Sequence, residues 1–371
     1  MRTPQPITRV AWVEYAFAFG IFFVVLGHVN SGIAKTPGLL MGDGLKLLNG
    51  FIYSFHMPLF FMLAGYIVHL RKQASTDNVV KDAIWSLAVP YLVWSVLWIA
   101  LKAALSDFTD NPVTLSRIAT ILWEPVGHMW FLFHLFFIRL AWHGLERVLP
   151  FKGRMAVLVA CALASMVCVS FGATWVPTWH YLHNLAFFGF GLLVLPYLDM
   201  PQTQARSFAL AVLGLCAWGV AYPAINALNG PMTGLLLGLI GSLTVILMAR
   251  ALPQPQNIGL RLMAYMGEAA MAIYVMHLFV TTATRKGLAA AGHLSEASVL
   301  LLATPLGIVV PALVLWCIFR ASSLSGVSLA RYFGLGLMRN SRYLSASVES
   351  GPRATADVAG PALEPAVQQG R

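Results

Sequence analysis

Ten long apolar stretches, each bounded by Pro, Gly or charged residues, occupy most of the first 320 positions of this chain. They run roughly over 10–33, 48–70, 83–105, 128–149, 154–172, 181–198, 206–223, 232–251, 262–283 and 297–320. A spanning helix needs about 20 mainly apolar residues, so the pattern predicts an all-α polytopic membrane protein, a bundle of about ten transmembrane helices. Composition excludes the soluble alternative. Of 371 residues, 58% are hydrophobic and 10% charged, against roughly 25% charged in soluble domains.

The formal net charge is +10, a balance that can serve nucleic acid. Here the charges sit in short loops between apolar runs, with no basic stripe or aromatic platform beside them, and no nucleic-acid partner is expected. Membrane topology accounts for them. A cytoplasmic N-terminus puts Arg2, Arg9, Arg71, Lys72, Lys81, Arg147, Lys152, Arg154, Arg206, Arg250 and Arg261 inside, and leaves Lys35, Lys46, Arg117, Arg285 and Lys286 outside. That asymmetry follows the positive-inside rule and predicts two cytoplasmic termini. The basic start MRTPQPITRV precedes a long apolar run without a clear A-x-A site, and reads as an uncleaved first helix. Residues 1–320 form one transmembrane domain and 321–371 a cytoplasmic tail. Within that tail, 324–338 is expected to lie on the membrane surface, and the Ser-, Gly-, Pro- and Ala-rich remainder from Ser341 to be disordered.

Four cysteines, Cys161, Cys168, Cys216 and Cys317, fall inside apolar segments and read as small hydrophobes. Neither a disulfide framework nor metal-ligand spacing is present, and no metal is expected. The chain contains no GxxxxGK[ST], GxSxG or HExxH motif, so phosphate-loop energetics, serine hydrolysis and zinc proteolysis have no support.

The chemistry-bearing residues are histidines at membrane depth, where an ionisable group is a functional hypothesis by default. FAFGIFFVVLGHVN carries His28 late in the first helix, and IYSFHMPLFFMLAGY carries His56 early in the second. His128 and His134 open the fourth, and His277 lies in the outer half of the ninth. The topology thus puts five histidines from four helices in one half of the bilayer. Histidine titrates near pH 6.5, so at pH 7 the neutral, proton-accepting imidazole predominates, as a general base requires. A histidine that merely bonds a neighbouring helix is the plain structural alternative for each.

Five segments carry a family resemblance: GIFFVVLGHV, IYSFHMPLFFMLAGYIV, PYLVWS (Pro90 to Ser95), GHMWFLFHLF (Gly127 to Phe136) and MGEAAMAIYVMH (Met266 to His277). Over about residues 9–320 the chain resembles the membrane-bound acyltransferase-3 family, in the branch similar to fucose 4-O-acetylases. The resemblance implies transfer of an acetyl or similar acyl group from cytoplasmic acyl-CoA, usually acetyl-CoA, to a hydroxyl of a glycan or lipid-linked sugar. It also implies a multi-pass protein of the bacterial inner membrane. His28 matches the family's presumed catalytic histidine. The family usually carries a basic residue eleven positions earlier and an acid three before that; here those positions hold Phe17 and Glu14.

The candidate catalytic residues are therefore His28 as general base and His56 as its assistant. His56 has a second reading, because Pro58 frees a carbonyl one turn earlier that an imidazole can satisfy. Trp130 reads either as an interfacial belt residue or as a platform for the acceptor sugar. Arg139, costly at its depth, is expected to pair with Glu14 or Glu268, or to contact the acyl donor in place of the missing cation. Glu268 and His277, nine apart, fall on roughly one face of a continuous helix, with His277 on the acceptor side or in helix packing. Two other functions remain open on sequence: a proton-coupled transporter or exporter of a polar or glycan solute, and a non-catalytic member of the same family. The donor, moreover, is cytoplasmic while the histidines lie in the outer half.

Overall fold

A computed structural model describes residues 11–73, 79–106, 113–170, 178–198, 203–228, 233–325, 333 and 335. The chain forms α1 (Ala11–Ala34), α2 (Asp43–Gln73), α3 (Val79–Ala83), α4 (Val89–Ala104), α5 (Trp130–Val148), α6 (Phe151–Ser170), α7 (Thr178–Leu193), α8 (Gln204–Leu228), α9 (Thr233–Ala251), α10 (Ile258–Glu268), α11 (Ala270–Ala290) and α12 (Glu296–Ser325). No strand occurs among the described residues. The protein is an all-α polytopic membrane protein. Helices are the open-chain solution to a bilayer, since they satisfy every backbone group within the segment.

Each of the ten apolar stretches lands on a helix or a consecutive pair, but fewer than ten helices qualify as crossings. Among the described residues, seven are long and apolar enough, and eight if one bent pair counts as a single span. Two expected spans fail for different reasons. α5 has 19 residues, but it carries Arg139, Glu146 and Arg147. α7 has only 16 residues, about 24 Å of helix, short of a roughly 30 Å hydrocarbon core.

The stretch 262–283 is also not one helix. It breaks at Ala269 between α10 and α11, which meet at 82°. Ala269 leaves the helical region with φ −80° and ψ 0°. Glu268 therefore closes one helix while His277 sits in the next, and the expected shared face does not exist. The break lies where α10 is pressed onto α1: Gly267 meets the Glu14 backbone so closely that no Cβ fits.

Helix α1 is the centre of the bundle, packed by α2, α9, α10, α11 and α12. Small residues permit the close approaches, as expected where lipid supplies no hydrophobic drive between helices. Gly27 lies under Ile52, whose Cγ2 would stand 2.9 Å from an added Cβ. Gly65 of α2 and Gly191 of α7 each abut the other helix's backbone. Of the tail segment expected on the membrane surface, Leu335 is instead buried in the main core, 3% exposed, and the Phe333 carbonyl accepts from Trp94 Nε1 at 3.0 Å. The start of the chain and the residues from Ser341 on lie outside the described residues.

Between α3 and α4 the chain makes a π-turn, Ile84–Ala88. Pro90 has no N–H to give the Ser86 carbonyl, and the Val89 N–H reaches back to the Ile84 carbonyl instead. This widened turn leads into the site.

Candidate active site

Three histidines meet near one end of α1. The His28 and His277 ring centroids are 5.1 Å apart, and those of His277 and His128 are 5.4 Å apart. His28 is brought there by the α1–α2 contact. Asn30 Nδ2 donates to the Leu45 carbonyl at 2.8 Å, and Ser31 Oγ lies 3.0 Å from the Tyr53 hydroxyl. His128 arrives on a 3₁₀ turn, Gly127–Met129, just before α5. Gly127 has φ +54°, the left-handed region that glycine enters without strain. The Tyr274 hydroxyl donates to the His128 carbonyl and ties this turn to α11.

His277 is fully buried, and its Nδ1 lies 3.0 and 2.8 Å from the Ile273 and Tyr274 carbonyl oxygens. Carbonyls only accept, so Nδ1 carries the proton and Nε2 keeps its lone pair. His56 is held the same way, Nδ1 to the Ile52 carbonyl at 2.7 Å. That carbonyl lies two residues before the one Pro58 frees, so the histidine is satisfied on its own helix by a different partner than expected. His56 does not join the trio directly. Tyr53 stands between, 4.9 Å from His56 and 6.4 Å from His28 by ring centroids. His134 turns elsewhere, onto Trp130, Phe133 and Tyr181. Of the five histidines expected at one depth, three touch, one is a ring away and one stands apart.

A cavity lies on each side of the trio. The first, of about 260 Å³, is mainly apolar; its lining includes Phe17, Val24, Phe131 and Tyr274, with Arg71, Ser86 and Arg139 as its polar residues. The second, of about 770 Å³, is lined by His28, His128, Trp98 and Trp130 together with Lys35, Lys102, Arg285 and Lys286. Three helical segments contribute to both sides. Val24 faces the first cavity and His28, one turn on, the second. Phe131 and His128 are divided in the same way. Tyr274 lines the first cavity and His277 is buried one turn further. A layer about one helical turn thick, some 6 Å, separates the two spaces.

Arg139 does not take the carboxylates expected of it as its recorded partners. Nη1 donates to Ser86 Oγ at 3.2 Å, and Nη2 lies 4.0 Å from Asp82 Oδ2. The π-turn supplies Ser86, and α3 supplies Asp82, from a loop-flanking position that the apolar stretches had left out. Phe17 lines the same cavity as Arg139 and Arg71 and packs on Phe60 at 5.8 Å. Glu14 is buried at the α1–α10 contact, about 21 Å along the helix from His28, and so is not beside the trio. Trp130 lines the second cavity.

Tyr53 and Tyr274 escaped sequence reasoning. Tyr274 stands three residues before His277, on the turn below it. Three of the four cations of the second cavity carried a fainter signal: Lys35, Arg285 and Lys286 are among the few that oppose the charge bias of the loops.

A family model described as an acyltransferase domain matches residues 10–320. Among curated proteins, nodulation protein NolL of Mesorhizobium japonicum is 28% identical over 165 residues, which is 42% of this chain and 40% of that protein. The matched region thus spans less than half of the relative's length. No solved structure matches the chain.

Proposed function

The chain belongs to the acyltransferase-3 family, and on that premise we propose that it moves an acetyl or similar acyl group from acyl-CoA to a hydroxyl of a glycan or lipid-linked sugar, with His28 as general base. One observation carries this reading: the histidine layer stands between an apolar cavity and a cation-lined one. A transferase whose donor and acceptor arrive from opposite faces of a membrane needs that arrangement. With the charge bias of the loops oriented as the positive-inside rule requires, the apolar cavity opens toward the cytoplasm of a bacterial inner membrane.

In this reading acyl-CoA is the donor, with its acyl-pantetheine arm in the apolar cavity. Arg71 and Arg139 meet its anionic or carbonyl groups, in place of the cation that the resemblance leads one to expect at position 17. The acceptor hydroxyl enters from the other side, beside Trp130. His28 takes the hydroxyl proton, the oxygen attacks the thioester carbonyl, the C–S bond breaks, and the thiolate leaves as CoA and regains a proton. His277, with a bare Nε2 beside His28, accepts the proton onward or orients the base. His56 supports this through Tyr53. The reading resolves the separation of donor and histidines, since the apolar cavity ends at Val24, about one turn from His28.

A positioned base contributes roughly 10²–10⁴ in rate. Purified protein in lipid nanodiscs, given acetyl-CoA and a glycan acceptor, should therefore lose transfer by that factor in His28→Gln, with its melting temperature unchanged. Equal rates in the two proteins remove His28 from the chemistry.

A further inference from the structure

One wall of the apolar cavity comes from outside the acyltransferase domain. The family match ends at residue 320 and α12 at Ser325, yet Leu335, beyond both, lines this cavity beside Leu315. Leu335 is buried and belongs to the main core. Phe333, two residues before it, shows how deep this part of the chain sits. Its carbonyl accepts from Trp94 Nε1 at 3.0 Å, and the two rings pack with centroids 6.4 Å apart. Trp94 lies one turn of α4, about 6 Å, from Trp98, whose ring is 5.0 Å from that of His128. It lies on the donor side of Trp98, since Ser86 and Leu87, earlier in the same run, line the apolar cavity. Phe333 therefore stands within roughly two turns of the histidine layer and not at the membrane surface. A non-helical carbonyl at that depth is tolerated only where protein satisfies it, and Trp94 does so.

We propose that Leu335 limits the length of the acyl group: its side chain bounds the donor cavity near the histidine layer, so that the protein takes acetyl-CoA or a donor of similar size and rejects longer chains. The proposal rests on the acyl-transfer reading, and it makes a segment beyond the family domain part of the donor site. In that reading the thioester carbon must reach the layer. The acyl chain attached to it then has only the adjoining end of the apolar cavity to occupy, and the whole cavity, about 260 Å³, must hold the pantetheine arm as well. A methylene added to a well-packed apolar site forces its neighbours off their rotamers. One methylene more or less in such a pocket discriminates between substrates by roughly 10–200-fold.

Donor binding without an acceptor separates this inference from the acyl-transfer reading. The full-length protein in nanodiscs would be titrated calorimetrically with acetyl-CoA and butyryl-CoA, and transfer to a glycan would be timed with each. Wild type should bind butyryl-CoA about tenfold more weakly than acetyl-CoA, or weaker still. In Leu335→Ala, which removes the side chain beyond Cβ, the gap should shrink to roughly threefold or less, and Leu335→Phe should widen it. The ratio of two donors on one protein does not depend on how much of it is folded, and Leu335→Val, a milder change, should shift it in the direction of Leu335→Ala. Leu324→Ala, at a site 88% exposed, should keep the wild-type ratio. No chain-length preference in wild type, or the same preference in Leu335→Ala and Leu335→Val, overturns the inference. A ratio that shifts in binding while no glycan is acylated would retain the wall and sink the enzymatic reading. Transfer to a glycan with one chain-length preference in all the variants would do the reverse. Failure of wild type to bind either acyl-CoA would overturn both.

Discussion

Position 17, where the sequence resemblance led to the expectation of a basic residue, is the most informative single position. Phe17 stands where the resemblance leads one to expect a cation, and it lines the same cavity as Arg139 and Arg71. Phe17 lies eleven residues before His28 and Arg139 eleven after His128, each about 16 Å along its helix, so the two side chains occupy matching depths from opposite chain directions. The cavity that Phe17 lines thus takes a cation from α5. Arg139→Met should raise the KM for acyl-CoA about tenfold or more, with a smaller change in kcat, because a charge-assisted contact to the donor is lost. Adding Phe17→Lys to that variant should recover part of the loss. No recovery, with the protein still folded, would dissociate the two positions. The identity of Arg139 as a buried cation in need of partners was legible in the sequence. Its partners were not, because Ser86 and Asp82 come from a π-turn and a short helix whose geometry depends on Pro90.

Helices in this molecule are fixed by contact more than by propensity. α7 is too short to span on its own, yet its Leu185, Phe187, Phe188 and Leu192 are buried, and it is held against α2 where Gly65 and Gly191 allow backbone to touch backbone. Gly191→Leu must therefore push the helices apart or unfold the pair, at a cost of several kcal/mol beyond ordinary overpacking of about 1–3 kcal/mol. The yield of monodisperse protein in detergent should collapse. Gly144→Leu is the control, since a Cβ at Gly144 meets nothing within 4 Å, and its yield should be normal. Comparable losses in both would show that the α2–α7 approach does not govern folding. The bend at Ala269 belongs to the same scale. Hydropathy runs unbroken through 262–283 and gives no warning of it. The bend coincides with a contact outside the segment, the close approach of Gly267 to the α1 backbone.

At the scale of the whole molecule, the proposed function requires the two cavities to open toward opposite faces of one membrane. In a variant lacking Cys161, Cys168, Cys216 and Cys317, a membrane-impermeant maleimide applied to intact cells should label Lys35→Cys and not Lys81→Cys, and inverted vesicles should give the converse. Labelling of both from one side would overturn the orientation and the assignment of the apolar cavity to the donor. What the sequence by itself determined is the class of fold and the position of nearly every helix. Those follow from hydropathy and helical rise, which are local and additive along the chain. What only the tertiary structure decided is which side chains meet: that His28, His128 and His277 form the layer while His134 turns away, that Arg139 finds Asp82, and that four cations from separate segments line one cavity. Such contacts depend on the rotation and tilt of each helix about its neighbours. In a bilayer those are set by small-residue packing and kinks between distant segments, which no single apolar stretch encodes.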